Sequence, residues 1–461
     1  MHHVIIGSGP AATNAIETIR QLESEPSQIT LVSDEPAHSR MALPYWLSGQ
    51  VTREHTHTGD ADYFTKLDVV TRFGVRAESL DAQAKTVTLS DGSSLSYDRL
   101  LVATGSSPLA PTIPGVDLPG VQPLWSLEHC QRLLDATTDL ERPRVVLVGA
   151  GFIGFIVLNA MHKRGWKLSV VERESQVLPR MLDAGSAELV QAWLRRKDID
   201  VHTGTAVKEI TAGDGTTKHV HLESGQTIDA DIVIVATGIK ANLEVVEGVG
   251  LDADQAILVN DQMQTSVTDI YAAGDVAQGP VLGDDRREVH AIQPTAVDHG
   301  RVAGANMAGQ EIHYPGSLSM NVTDVCGLQT ASYGDWNDAS AEAMTISNAA
   351  GNVYRKLLWR DDRLVGAIFV GQSNDLGMLN DLGMVKGILQ TQTALGPWKA
   401  FLKENPFDIR RAYIATGVAK KLVSSTLLGR PSQARGYRKD NASPSVPKNN
   451  AHQIFVSTKL D

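Results

Sequence analysis

Cysteine is nearly absent from this chain: Cys130 and Cys326 are the only two in 461 residues. That scarcity excludes a disulfide scaffold, a cysteine-rich zinc site and a cysteine-held iron–sulfur cluster. Because the two lie far apart in sequence, a CxxC or CxxxxC redox pair is excluded as well. Long apolar runs are also missing, since no stretch approaches the ~20 residues that cross a bilayer. The N-terminus, His2-His3-Val4-Ile5-Ile6, reaches Gly7 too early for a signal-peptide core, so a cytoplasmic protein away from membranes is expected. Basic residues are in deficit, with 42 Lys+Arg against 53 Asp+Glu and a net charge of −11. Such a chain has no global field for nucleic acid, and no nucleic-acid partner is expected. His55 and His57 alternate in a polar stretch without a third ligand nearby, so no metal site is expected. What remains is the composition of an ordinary globular enzyme, long enough for about three domains.

The glycines carry the information. Val4-Ile5-Ile6 reads as a buried strand that enters Gly7-Ser8-Gly9-Pro10-Ala11-Ala12. A helix through Ile16, Ile19 and Leu22 follows, and a second strand, Ile29-Thr30-Leu31-Val32, ends in Ser33-Asp34-Glu35. The pattern recurs at Val145–Val148, then Gly149-Ala150-Gly151-Phe152-Ile153-Gly154, a helix to Arg164-Gly165, and Leu168–Val171 closed by Glu172. Each copy is a dinucleotide-binding βαβ unit, in which glycines allow a tight turn and a close backbone approach to a pyrophosphate at a helix N-terminus. One such motif is weak evidence; two in one chain are strong. Two more strands, 99–102 and 231–235, run straight into Ala-Thr-Gly at Ala103-Thr104-Gly105 and Ala236-Thr237-Gly238. Pro- and Gly-rich segments at 107–123 and 240–250 read as crossings between domains.

These motifs, with Ile270-Tyr271-Ala272-Ala273-Gly274-Asp275-Val276-Ala277, resemble the two-dinucleotide-binding-domain flavoproteins of the pyridine nucleotide–disulfide reductase superfamily. The resemblance covers roughly residues 1–310 and is expected to fade near 320. It implies that the first unit holds FAD, that the inserted second unit holds a nicotinamide nucleotide, and that the Gly-Asp segment returns to FAD. By resemblance, Gly7, Gly9, Pro10, Ala11 and Ala12 face the FAD pyrophosphate, and Ala103, Thr104, Gly105, Gly274 and Asp275 join them, Asp275 toward a ribityl hydroxyl. Gly149, Gly151, Phe152, Ile153, Gly154, Ala236, Thr237 and Gly238 form the second cradle. Pro294, Thr295 and Ala296, in His290–Val297, resemble the first turn of a helix aimed at the flavin, where free amides stabilise negative charge.

Glu172 is placed to accept from both ribose hydroxyls of NADH, and its carboxylate repels a 2′-phosphate. Arg173 beside it leaves NADPH as the less favoured alternative. In the first unit Ser33 occupies the strand end, and either Asp34 or Glu35 could serve the ribose; Glu35 is the candidate. The segment His38-Ser39-Arg40-Met41-Ala42-Leu43-Pro44-Tyr45 is similar to the Asn-Cys-Gly-Leu-Pro-Tyr segment of coenzyme A–disulfide reductases, with Met41 in the place of the reactive cysteine. A thioether forms no thiolate, so disulfide reduction and cysteine-based peroxidase chemistry are excluded. Ferredoxin and rubredoxin reductases, and the flavin part of NADH-nitrite reductases, also lack that cysteine and have an arginine near Arg40. The lysine of the ferredoxin-reductase version is missing, Tyr45 standing nearest its slot.

The fold class expected is α/β, with two Rossmann-like domains and an α+β C-terminal domain. The FAD-binding domain spans 1–112 and 252–320 and is interrupted by an NAD(P)H-binding domain at 113–251. An interface domain at 321–428 and a flexible tail at 429–461 complete the chain. Tyr354–Trp359 and Leu364–Val370 read as a hairpin around a polar turn, and a helix follows through Leu376 and Leu389. Arg410-Arg411, Lys420-Lys421 and Arg430 frame Ile414, Val418 and Leu422, which reads as a helix packed on the body or on a partner, with a basic amphipathic helix on a membrane as the alternative. The tail is rich in basic residues, which suits an acidic partner. The function expected is an FAD-dependent oxidoreductase that takes hydride from NADH and passes electrons, with no cysteine relay, to a ferredoxin- or rubredoxin-like carrier or a metal-bearing subunit. The alternatives are an NADH oxidase or dehydrogenase using oxygen or quinone, and a non-catalytic FAD-bearing subunit. Family resemblance also implies a possible homodimer through the C-terminal domain.

Overall fold

The computed structural model describes residues 1–423; the tail expected at 429–461 lies outside the described residues. The first glycine motif sits where the sequence places it. Strand β1 (His2–Ile6) leads into helix α1 (Pro10–Leu22), and β2 (Gln28–Ser33), β3 (Val69–Phe73) and β4 (Arg99–Val102) follow. With β10 (Ile270–Ala272) they form one parallel sheet in the order β10-β4-β1-β2-β3. Apart from the edge strand β3, these strands are almost wholly buried and read as near-continuous apolar runs, because both faces of the parallel sheet are covered.

A second parallel sheet is built the same way from β5 (Val121–Gln122), β6 (Arg144–Val148), β7 (Lys167–Glu172), β8 (Ile199–Thr203) and β9 (Ile232–Val235), in the order β8-β7-β6-β9-β5. Helix α2 (Phe152–Lys163) starts at its glycine turn. The chain passes between the two sheets twice, and the two passages pair with each other. Ser106–Pro108 runs antiparallel to Ile239–Ala241, with Ala241 opposite Ser106. Each Ala-Thr-Gly segment thus opens onto one strand of a common ribbon. Thr104 Oγ1 donates to the Asn242 carbonyl at 2.8 Å, and Asn242 Nδ2 returns a bond to the Thr104 carbonyl at 2.9 Å.

Helix α3 (Gln293–Met307) lies across α1 at close range. A Cβ on Gly300 would stand 2.1 Å from the Ala11 carbonyl oxygen, and one on Gly304 would stand 2.5 Å from that of Ala15. Only glycine at those two helical positions lets the backbones approach so closely. The consequence is that the start of α1 is held against the middle of α3, with the first turn of α3 reaching beyond it.

The C-terminal region is a five-stranded antiparallel sheet of β11 (Met320–Val325), β12 (Leu328–Gly334), β13 (Glu342–Asn348), β14 (Val353–Arg360) and β15 (Arg363–Gln372), in the order β11-β12-β15-β14-β13. The hairpin read from 354–370 is β14–β15, turning at Asp361, which adopts a left-handed φ of 56°. One face of the sheet carries helix α4 (Leu376–Gln390). Val325, Leu328, Ile368 and Val370 instead join the core of the second Rossmann unit. The single basic helix expected over 410–422 is two short helices, Ile409–Ala415 and Val418–Val423, broken at Gly417 with φ 69°. Ile409, Ala412 and Val418 are buried against the body, whereas Ile414 points to solvent. Among the described residues no helix is long and apolar enough to cross a membrane.

Candidate nucleotide-binding site

Two cradles of the same construction stand at the C-terminal ends of the parallel strands. In the first, Gly7 has φ 99°, and a Cβ there would lie 2.1 Å from the Ala103 carbonyl oxygen. Side chains of L-residues rarely tolerate that conformation, and no side chain fits against β4. Gly9 caps α1 with an ordinary φ of −72°, and a Cβ there would meet nothing within 4 Å. The first glycine is therefore required by the protein itself, while the second faces open space. No side chain caps α1, and Pro10 has no N–H, so the Ala11 and Ala12 amides are the free donors of the first turn. A pyrophosphate matches that donor set and the helix dipole.

The second cradle repeats the division. Gly149 has φ 101° and its Cβ would stand 2.4 Å from the Ala236 carbonyl oxygen, whereas Gly151 faces open space at the uncapped start of α2. Phe152 and Ile153 supply the first amides of that helix. Gly154 packs its Cα against the Gly149 carbonyl, where a Cβ would stand 2.5 Å from the oxygen. Glu172 is buried at the end of β7. One of its oxygens accepts from the Ala150 N–H at 2.7 Å and the other from the Glu174 N–H at 2.9 Å. Each oxygen keeps acceptor capacity for a further donor such as a ribose hydroxyl. Arg173 turns away into solvent and pairs with Glu174 at 3.3 Å. Thr237 is exposed, and Gly238, at φ 133°, sits over Leu109 at the entrance to the crossing ribbon.

The remaining residues expected at the flavin converge on the first cradle. Gly274, at φ 82°, places its missing Cβ 3.3 Å from the Ala11 Cβ and 3.6 Å from the Ala296 Cβ. The Gly-Asp turn, the start of α1 and the start of α3 therefore meet at three small residues. Helix α3 has no side-chain cap, and Pro294 lies in its first turn, leaving the Gln293 and Thr295 amides unclaimed by the helix. Asp275 is half-buried beside Gly274, and one of its carboxylate oxygens accepts from Ser106 Oγ at 2.7 Å.

Asp34 and Glu35 separate cleanly. Asp34 pairs at the surface with Arg76 at 2.9 Å, while Glu35 is half-buried with burial raising its pKa and Arg40 opposing that rise. Burial lowers the pKa of Arg40, whose guanidinium lies over the Trp125 ring, 4.7 Å from the centroid. The same guanidinium is 3.6 Å from the Cβ position of Gly105. Met41 is 43% exposed, in the 3₁₀ turn Arg40–Ala42. After it, Leu43, Trp46 and Leu47 bury themselves in the core of the second Rossmann unit, and Arg164 donates to the Leu47 carbonyl at 2.6 Å. The segment bearing Arg40 and Met41 is thus anchored to the second unit as well as the first.

Both cysteines lie inside the protein, with thiol pKa values pushed up by burial to about 12. Sequence reasoning missed Ser106 and Trp125, since neither belongs to a glycine motif. They flank the crossing read at 107–123 without falling inside it, so no local signal marked them.

Residues 1–300 match the family model of the pyridine nucleotide-disulphide oxidoreductases. The chain belongs to that family. It is an oxidoreductase whose cofactors are FAD and NADH. Residues 320–382 match the model of the rubredoxin NAD+ reductase C-terminal domain, so the likeness expected to fade near 320 continues beyond it. Among curated relatives, the NADH-dependent phenylglyoxylate dehydrogenase subunit epsilon of Aromatoleum evansii is 31% identical over 415 residues, 89% of this chain and 96% of that protein. The assimilatory nitrate reductase electron transfer subunit of Bacillus subtilis is 28% identical over 81% of this chain, which spans about half (48%) of that relative's length. The crystal structure of a covalent putidaredoxin reductase–putidaredoxin complex has the same fold. Its TM-score is 0.80 at 23% identity, over 90% of this chain and 98% of that one.

Proposed function

We propose that this protein takes hydride from NADH and passes the electrons singly to a carrier protein or a metal-bearing partner subunit, with no thiol in between. The observation that carries this reading is Met41, a thioether at an exposed turn beside Arg40, with both cysteines buried elsewhere. The name of the Aromatoleum relative, a subunit aligned over nearly its whole length, supports a partner subunit as the acceptor.

Bound FAD supplies the conversion between hydride uptake and single-electron release. The chain's own residues position and bias it. The Ala11 and Ala12 amides take the pyrophosphate, and Asp275 accepts from the polyol. The Gln293 and Thr295 amides, with the dipole of α3, favour negative charge at the flavin's pyrimidine end. Glu172 accepts from the ribose of NADH and disfavours a 2′-phosphate. A homodimer through the C-terminal domain belongs to the same proposal, with the largely exposed edge strand β13 as the candidate contact, and sedimentation velocity would test it.

The test is anaerobic. NADH should bleach the bound flavin rapidly, and a ferredoxin or rubredoxin should reoxidise it faster than oxygen or quinone does. Fast reoxidation by oxygen alone overturns the carrier reading, and failure to bleach overturns any catalytic one.

A further inference from the structure

Asp275 is held by residues outside the two glycine cradles. Ser106 is 1% exposed and its hydroxyl donates to Asp275 Oδ2 at 2.7 Å. The Ser106 carbonyl is itself claimed by the Trp125 indole N–H at 2.9 Å. The face of that indole carries the Arg40 guanidinium, 4.7 Å from its centroid. Ser106 is the first residue of the crossing ribbon, and Trp125 follows β5, the first strand in sequence of the second parallel sheet. One tryptophan from the second unit therefore touches both Arg40 and the Ser106 backbone, and Arg40 itself lies 3.6 Å from the Cβ position of the adjacent Gly105.

A carboxylate on a turn can rotate about its last torsion, which is broad for this side chain. A buried hydroxyl bonded to one oxygen fixes that rotation and leaves the other oxygen's direction set. A hydrogen bond to an ionised group is also among the stronger ones, because the donor meets a full charge in a shielded place. Trp125 in turn fixes the backbone from which the hydroxyl projects.

We propose that Ser106 and Trp125 are positioning residues for the flavin polyol site: Ser106 orients Asp275 toward the polyol, and Trp125 holds Ser106 and Arg40 in register across the junction of the two units. This rests on the reading of Asp275 as the polyol acceptor, and the test separates the two.

FAD release is measured from full-length holoprotein on dilution, by the recovery of flavin fluorescence, for Ser106→Ala, Ser106→Thr, Trp125→Phe, Asp275→Asn and the double variant Ser106→Ala/Asp275→Asn. Ser106→Ala should bind FAD about 10-fold more weakly, the size of one hydrogen bond to a charged group. Ser106→Thr, which keeps the hydroxyl, should restore binding. Trp125→Phe keeps a ring under Arg40 but loses the N–H, and should weaken binding less than Ser106→Ala does. The double variant should bind no more weakly than Asp275→Asn alone, since Ser106 acts through that carboxylate. Equal weakening by Ser106→Ala and Ser106→Thr, or additive losses in the double variant, overturns the proposal while leaving Asp275 in place. Normal FAD retention by Asp275→Asn overturns the reading of Asp275 itself. Circular dichroism melts of each variant show whether a loss of FAD accompanies a loss of fold. A fold-wide loss that Ser106→Thr does not rescue counts against positioning.

Discussion

The backbone N–H of Ala150 donates to Glu172 Oε2 at 2.7 Å, so the residue at the end of β7 closes the glycine turn that begins α2. The same carboxylate takes the Glu174 N–H on its other oxygen. Glu172→Gln puts an amide donor where an acceptor is required, leaving one buried N–H facing another. A loss of roughly 1–3 kcal/mol of stability is expected, the usual cost of an unsatisfied buried group. The KM for NADH should rise about 10-fold, while the KM for NADPH rises less because the repulsive charge has gone. Steady-state kinetics with both nucleotides and a thermal melt check this together.

Gly7 and Gly9 should fail in different ways. Gly7→Ala forces a Cβ to within 2.1 Å of the Ala103 carbonyl oxygen at a left-handed φ, so the sheet itself must shift. The conformation alone costs about 1–2 kcal/mol, and the clash adds to it. Among the described residues Gly9→Ala meets no atom within 4 Å, and its φ is ordinary, so it should fold with a native circular dichroism spectrum yet purify with little flavin. Absorbance at the flavin band relative to protein, beside a melt, distinguishes them. Loss of fold in Gly9→Ala would contradict the open-space reading.

Removing both thiols should leave the chemistry intact. Cys130→Ala/Cys326→Ala is expected to reduce its flavin with NADH and pass electrons to a carrier at the wild-type rate, while losing roughly 1 kcal/mol of stability per site from lost packing. Stopped-flow reduction with and without a thiol-alkylating reagent tests this. A marked fall in rate would mean that a thiol takes part after all.

Acid should destabilise the protein through His299. Burial lowers its pKa to about 3, and it sits edge-on to Tyr314 with both ring nitrogens lacking a partner among the described residues. In the unfolded chain a histidine titrates near 6.5, so below that pH the unfolded state binds a proton that the folded state refuses. Its contribution is fully present above pH 6.5 and is lost as pH falls toward 3, at about 1.4 kcal/mol per pH unit. His3, lowered by burial to about 4, acts in the same direction. His299→Phe should flatten the fall in melting temperature between pH 6.5 and pH 5. An unchanged slope would show that His299 does not resist protonation in the fold.

Much of the fold was legible because the motifs that carry it are local. A strand, a glycine turn, a helix and an acid-ended strand occupy about 30 residues, and sterics alone require glycine at Gly7 and Gly149. The hairpin β14–β15 was legible for the same reason, as two adjacent strand-forming segments around a polar turn. Local pattern reached less far at 410–422, where basic and apolar residues suggested one amphipathic helix. Gly417 in a left-handed conformation ends the first helix, and burial of Val418 on the body starts the second.

The sequence by itself determined the two cradles, the absence of a thiol at Met41 and the acid at Glu172, because each is fixed by residue type and short spacing. Only the tertiary structure showed that Asp34 pairs at the surface with Arg76, 42 residues away, while Glu35 is half-buried near Arg40. It alone joined Gly274, Ala11 and Ala296, and it alone brought Trp125 between Arg40 and Ser106. Those contacts link segments separated by tens to hundreds of residues, and a spacing rule cannot express them. Their geometry is set by how closely α1 and α3 pack and by where the two crossings pair.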